Sequence, residues 1–126
     1  MGTQAPPCRN PSNWDDARVN EVFPFLRDDS PASAKETIEE ILSRPGFRLE
    51  RIVSRGESSP PDFWYDQNED EWVLLCQGSA VLRHDDGTEL DLILGDSLLI
   101  PAGVRHRVER VSDDAVWLAL HFPPKA

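Results

Sequence analysis

The stretch FWYDQNEDEW, residues 63–72, sets Tyr65, Asp66, Gln67 and Glu71 within seven positions and contains no histidine. Asp66 and Glu71 offer hard carboxylate oxygens, Gln67 a carbonyl oxygen, and Tyr65 a phenol able to donate a proton. Two histidines follow, His106 in VRHRVERV and His121 in AVWLALHF. Imidazole beside carboxylates serves either divalent-metal binding or proton transfer. Which side chains meet depends on the elements that carry them.

The period in these segments is two, so alternate residues share a face. His106 points with Val104 and Val108, away from Arg105, Arg107 and Glu109. Glu71 heads the row Val73 and Leu75, where a carboxylate is costly unless paired or metal-bound. Cys76 falls on the opposite face and reads as a small hydrophobe. His121 shares its face with Trp117 and Ala119. The other face, Leu118, Leu120 and Phe122, is as apolar, so the pattern leaves open which one points inward. His84 sits before Asp85-Asp86-Gly87 at a hairpin tip and is expected in solvent. Arg105 and Arg107 are expected in outer-face ion pairs.

From Phe47 onward, short alternating runs are separated by turns at Gly78, Asp86-Gly87 and Gly95-Asp96, the pattern of an all-β barrel or sandwich. Upstream, SPASAKETIEEILSRPGF reads as one short helix. Ser33 and Glu36 have capping-box spacing, Ile38, Ile41 and Leu42 form a stripe, and Pro45-Gly46 is the stop. VFPFL, residues 22–26, reads as a short edge strand or a strap, with Pro24 arguing against a central strand. Residues 1–20 are rich in Pro, Asn and Asp without period and read as a flexible tail, leaving 21–126 as a single domain.

At 126 residues and 39% hydrophobic content the chain supports one domain with a real core. A net charge of −10 argues against nucleic acid and anionic membrane as partners. Two cysteines, Cys8 and Cys76, lack paired spacing, and no basic, apolar leader or membrane-length apolar run is present; a cytoplasmic protein is expected. Sheet edges are usually covered; the apolar VFPFL segment and the amphipathic helix would serve as cover or contact, and a homodimer is expected.

GDSLLIPAGVRH carries Gly95, Pro101, Gly103 and His106 at the spacing of the second motif of the cupin superfamily, and Glu71 and Gly78 match the second half of the first. The chain from Phe47 to Phe122 thus resembles a small bacterial cupin. The resemblance implies a jelly-roll barrel (a double-stranded β-helix), here with the short N-terminal helix. Many cupins bind one divalent metal through three histidines and a glutamate. Glu71 and His106 keep two of these positions. The missing H-x-H falls on Trp64 and Asp66, or on Tyr65 and Gln67, according to whether four or three residues precede the glutamate. Arg110 stands where an asparagine is common.

The ligand candidates are therefore His106, Glu71, Asp66 and Gln67, with His121 as a further one. Trp64 and Tyr65 are pocket candidates that either roof a ligand or plug the barrel mouth, and Tyr65 is a candidate proton donor. The metal would be Fe, Mn, Zn or Ni. The first reading is a metal-binding barrel acting on a small polar molecule; the alternative is a metal-free barrel that binds or senses a small molecule.

Overall fold

The structure is a computed structural model that describes residues 20, 22–26 and 35–125. Residues 1–19, the expected tail, lie outside the described residues. Eight strands follow one another: β1 Thr37–Arg44, β2 Phe47–Val53, β3 Asp70–Gln77, β4 Ser79–His84, β5 Glu89–Ile93, β6 Ser97–Ile100, β7 His106–Val111 and β8 Val116–Phe122. They form a five-stranded sheet in the order β1-β2-β8-β3-β6 and a three-stranded sheet in the order β5-β4-β7. All the pairings are antiparallel. The two sheets face each other as a jelly roll.

The core forms because alternate residues of both sheets point between them. Val73 and Leu75 of β3, Trp117 and Ala119 of β8, and Ala80 and Leu82 of β4 are buried in one cluster. The same face of β3 carries Glu71, and the same face of β8 carries His121. The strands that build the core therefore also aim the polar groups inward.

The helix expected over residues 30–47 is corrected. Thr37–Arg44 is strand β1, and the described residues contain no helix. Ser33, the proposed cap, lies outside the described residues. Pro45-Gly46 does not stop a helix; it forms the two-residue turn joining β1 to β2, with Arg44 opposite Phe47. Proline fixes the first turn position and Gly46 takes φ 101° at the second, the combination a type II turn requires. The apparent helical stripe has a local cause. The register shifts between Glu40 and Leu42, so Ile41 is an extra, bulged residue. Ile38 pairs with Ile52 on the cavity side, whereas Leu42 pairs with Leu49 on the other. The bulge converts alternation into i, i+3, i+4 spacing.

VFPFL is a strap rather than a strand. The Arg51 guanidinium donates to the carbonyls of Phe25 at 2.9 Å and Pro24 at 3.3 Å and lies 5.3 Å from the centre of the Phe23 ring. Arg51 projects from the face of β2 opposite the cavity, so the strap crosses the outside of the large sheet.

Gly78 links β3 to β4 at φ 90°, and a Cβ there would stand 2.8 Å from the backbone Cα of Ala115. Gly78→Ala adds left-handed strain to a backbone clash. It is expected to cost about 3 kcal/mol in chemical denaturation, while Gly87→Ala, strained but open, costs about 1 kcal/mol. Equal costs for the two would remove the clash from this account.

Candidate functional site

Four strands and one loop bring these polar residues to one end of the barrel. Glu71 of β3 pairs directly with His121 of β8, so their side chains share the inner face. His106 opens β7 on the facing sheet. Glu50 of β2 lies one pleat along from His121. The loop before β3 is zipped onto β7: the Tyr65 amide donates to the His106 carbonyl at 2.7 Å and the His106 amide to the Tyr65 carbonyl at 3.1 Å. One turn on, the Gly103 amide donates to the Gln67 carbonyl at 2.9 Å, and the Ala102 amide to the Asp70 carboxylate at 2.8 Å. Alternation along this loop then points Tyr65 and Gln67 inward.

The resulting cavity, of about 120 Å³ and partly open to solvent, is lined by Glu36, Glu50, Tyr65, Gln67, Glu71, His106 and His121 on its polar side. Ile38, Ile52 and Trp117 are among its apolar walls. Glu71, His106 and His121 are all about 95% buried. The two oxygens of Glu71 face two imidazoles, His106 Nε2 at 3.9 Å and His121 Nε2 at 3.8 Å. Both contacts are too long for hydrogen bonds. His106 Nδ1 lies 3.1 Å from the Val104 carbonyl, which can only accept, so Nδ1 carries a proton and, in the neutral imidazole, Nε2 is the nitrogen that turns a lone pair to the cavity. The Tyr65 ring stacks on His106 at 5.3 Å between centres and 22° between planes, holding the imidazole in place. His121 is set differently. Its Nε2 is 3.0 Å from Glu50 Oε1, and its Nδ1 is buried without a hydrogen-bond partner among the described residues. The other Glu50 oxygen accepts from Arg48 Nε at 3.0 Å, and Arg48 also reaches Glu69 at 3.2 Å.

Electrostatics in the cavity are negative. Burial raises the Glu36 carboxyl above its ordinary range, and the charges of Glu57 and Glu71 raise it further. Burial, then Glu36 and Glu71, raise the Tyr65 phenol. Tyr65 is thus a neutral proton donor rather than an anionic ligand.

Most of the sequence candidates meet here. Glu71, His106, Gln67, Tyr65 and His121 line one cavity, and the open question of the β8 face is settled by His121 pointing inward. Asp66 is exposed and Trp64 is not part of the lining. The H-x-H positions facing the cavity are therefore Tyr65 and Gln67. Trp64 instead lies outside, within 5.6 Å and 5.9 Å of the Arg105 and Arg107 guanidinium groups. Arg107 pairs with Glu109 at 2.8 Å, as expected of the outer face. His84 is not free in solvent: it is half-buried opposite His106 in the β4–β7 ladder. Glu50 was not anticipated from sequence.

A cupin-domain family model matches residues 50–121, more than half of the chain. The chain belongs to the cupin superfamily. A solved cupin from Ralstonia eutropha, described provisionally as a mannose-6-phosphate isomerase, is 40% identical; the match covers 78% of this chain and 94% of that one, with a TM-score of 0.72. KdgF from Halomonas sp. is 15% identical over 82% of this chain and 94% of its own, with a TM-score of 0.65, a likeness of fold alone. Protein NMB1881 from Neisseria meningitidis, at 20% identity and a TM-score of 0.59 over 72% of this chain and 90% of that one, shares the fold in the same way. No curated protein matches the chain. Among the described residues no helix is long and apolar enough to cross a membrane.

The cupin fold implies a metal, and the donors are of the right kind: two imidazoles, carboxylates and an amide carbonyl. The bond from His106 Nδ1 to the Val104 carbonyl orients the ring as the bonds behind metal-ligating imidazoles do. As they stand, however, no three His, Cys, Asp or Glu side chains among the described residues converge in ligand geometry.

Proposed function

We propose that this cupin binds a divalent cation through His106 and Glu71, with Gln67 and His121 beside them, and uses the site to hold a small polar molecule. The observation that carries the reading is the Glu71 carboxylate. It is 6% exposed, makes no hydrogen bond among the described residues, and has an imidazole nitrogen beyond bonding distance of each oxygen. A buried carboxylate left so is costly, and a cation between it and the His106 lone pair offsets that cost. When bound, the ion supplies Lewis acidity. The chain's own residues orient the ligand: Tyr65 offers its phenol proton and Gln67 its amide, while Ile38, Ile52 and Trp117 exclude water.

One observation favours a metal-free binding module instead: His121 already closes a 3.0 Å bond to Glu50. Thermal melts with Mn²⁺, Fe²⁺, Zn²⁺ and Ni²⁺ separate the two. The metal reading expects at least one ion to raise the wild-type midpoint, Gln67→Ala to weaken the rise, and Asp66→Asn, outside the cavity, to leave it intact. A midpoint that none of the four ions moves selects the metal-free reading.

We also propose that the chain is a homodimer. The outer face of the large sheet presents Trp72, Leu74, Leu118 and Leu120, with Leu99 half-exposed opposite Trp72. Light scattering is expected to give twice the chain mass, and Leu99→Glu to shift it toward one chain. A wild-type monomer at high micromolar concentration contradicts this.

A further inference from the structure

The cavity is uneven in charge. Its lining includes the carboxylates Glu36, Glu50 and Glu71 and, among the described residues, contains no lysine or arginine. The guanidinium that reaches it, Arg48, is divided between Glu50 and Glu69. Glu36 stands at the rim without an ion-pair partner among the described residues, and the groups whose charges act on it, Glu57 and Glu71, are both acidic. Deeper in, Glu71 is buried, faces the cavity and makes no hydrogen bond among the described residues. Beside Glu36 lie the apolar side chain of Ile38 and the aromatic ring of Tyr65.

We propose that the molecule this cavity takes is a small organic cation, a primary amine on a short apolar body. Its ammonium is held by Glu36, and its body packs on Ile38 and Ile52. Cations gain from the carboxylate, which at the rim also raises their local concentration. Anions meet like charge with no guanidinium fork or ammonium free to receive them. A phosphorylated sugar is thereby disfavoured, even though the 40% identical Ralstonia protein is described with such a substrate. The inference rests on the reading of the cavity as the binding site, but not on an ion being bound there. A divalent ion at Glu71 and His106 offsets those charges and leaves Glu36 uncompensated.

The test is calorimetric titration of the full chain, metal-stripped and metal-loaded, with benzylamine, benzyl alcohol, benzoate and mannose 6-phosphate. Benzylamine is expected to bind at least tenfold more tightly than benzyl alcohol, and the two anions to bind more weakly still. Glu36→Gln, a conservative change at the rim, is expected to abolish the amine preference, bringing benzylamine down to the affinity of benzyl alcohol. Benzoate or mannose 6-phosphate binding as well as benzylamine overturns the proposal. So does an amine preference that survives Glu36→Gln, or the absence of binding by any probe. An amine preference without metal binding refutes only the ion reading; metal binding without an amine preference refutes only this one.

Discussion

Glu71→Gln is expected to raise the melting midpoint of the metal-free protein while removing its response to metal. Glu71 is buried on the wall that continues into Val73 and Leu75, and among the described residues neither oxygen has a hydrogen-bond donor within reach. Glutamine keeps the volume and removes the charge. Relief of an unsatisfied buried carboxylate is worth about 1–2 kcal/mol, or roughly 5 °C for a chain of this size. A group whose removal stabilises the fold is retained for something other than the fold. The opposite sign is informative. If Glu71→Gln lowers the metal-free midpoint by several degrees, Glu71 forms a stabilising pair with His106 or His121, and the metal-free reading gains.

His106→Ala is expected to abolish metal-dependent stabilisation altogether. A ligand bound only to the folded state at a hundred times its dissociation constant adds about 2.7 kcal/mol, roughly 10 °C in the midpoint of a domain this size. His106 is the side chain whose unprotonated Nε2 is fixed toward the cavity, by Val104 on one side and the Tyr65 ring on the other. Its loss leaves His121, already bonded to Glu50, as the sole imidazole in the cavity. His106→Gln, which keeps a polar side chain of similar reach, guards against misreading a folding defect. Both variants should melt cooperatively and at the same temperature with and without metal. A His106→Gln protein that responds like wild type places the ion elsewhere.

These expectations rest on features that were unequally legible in the sequence. Strict alternation in EWVLLCQ and VRHRVERV showed Glu71 and His106 facing inward, because each shares its face with residues that must be buried. The motif spacing around Gly95, Pro101 and Gly103 gave the barrel. β8 was ambiguous because both its faces are apolar. Its outer face, Leu118 and Leu120, is only half-buried, whereas Trp117, Ala119 and His121 are buried. Glu50 was missed for a related reason. In FRLERIV the apolar residues Phe47, Leu49 and Val53 alternate on the face away from the cavity, so the pattern does not point Glu50 inward. β1 was misread because a single bulge at Ile41 imitates helical spacing, and Pro-Gly serves a hairpin as readily as a helix end. The choice between Asp66 and Gln67 depended on loop register, which is fixed by backbone bonds to β7 rather than by side-chain pattern.

The central claim is that a buried carboxylate and an oriented imidazole in this cupin hold a divalent cation. The most direct measurement is elemental analysis of protein purified without a metal-affinity column, followed by calorimetric titration of the stripped protein with the metal found. The account predicts close to one ion per chain, rebinding of one ion after stripping, and neither in His106→Gln. Metal-free wild-type protein that binds none of Mn²⁺, Fe²⁺, Zn²⁺ or Ni²⁺ on titration would contradict it.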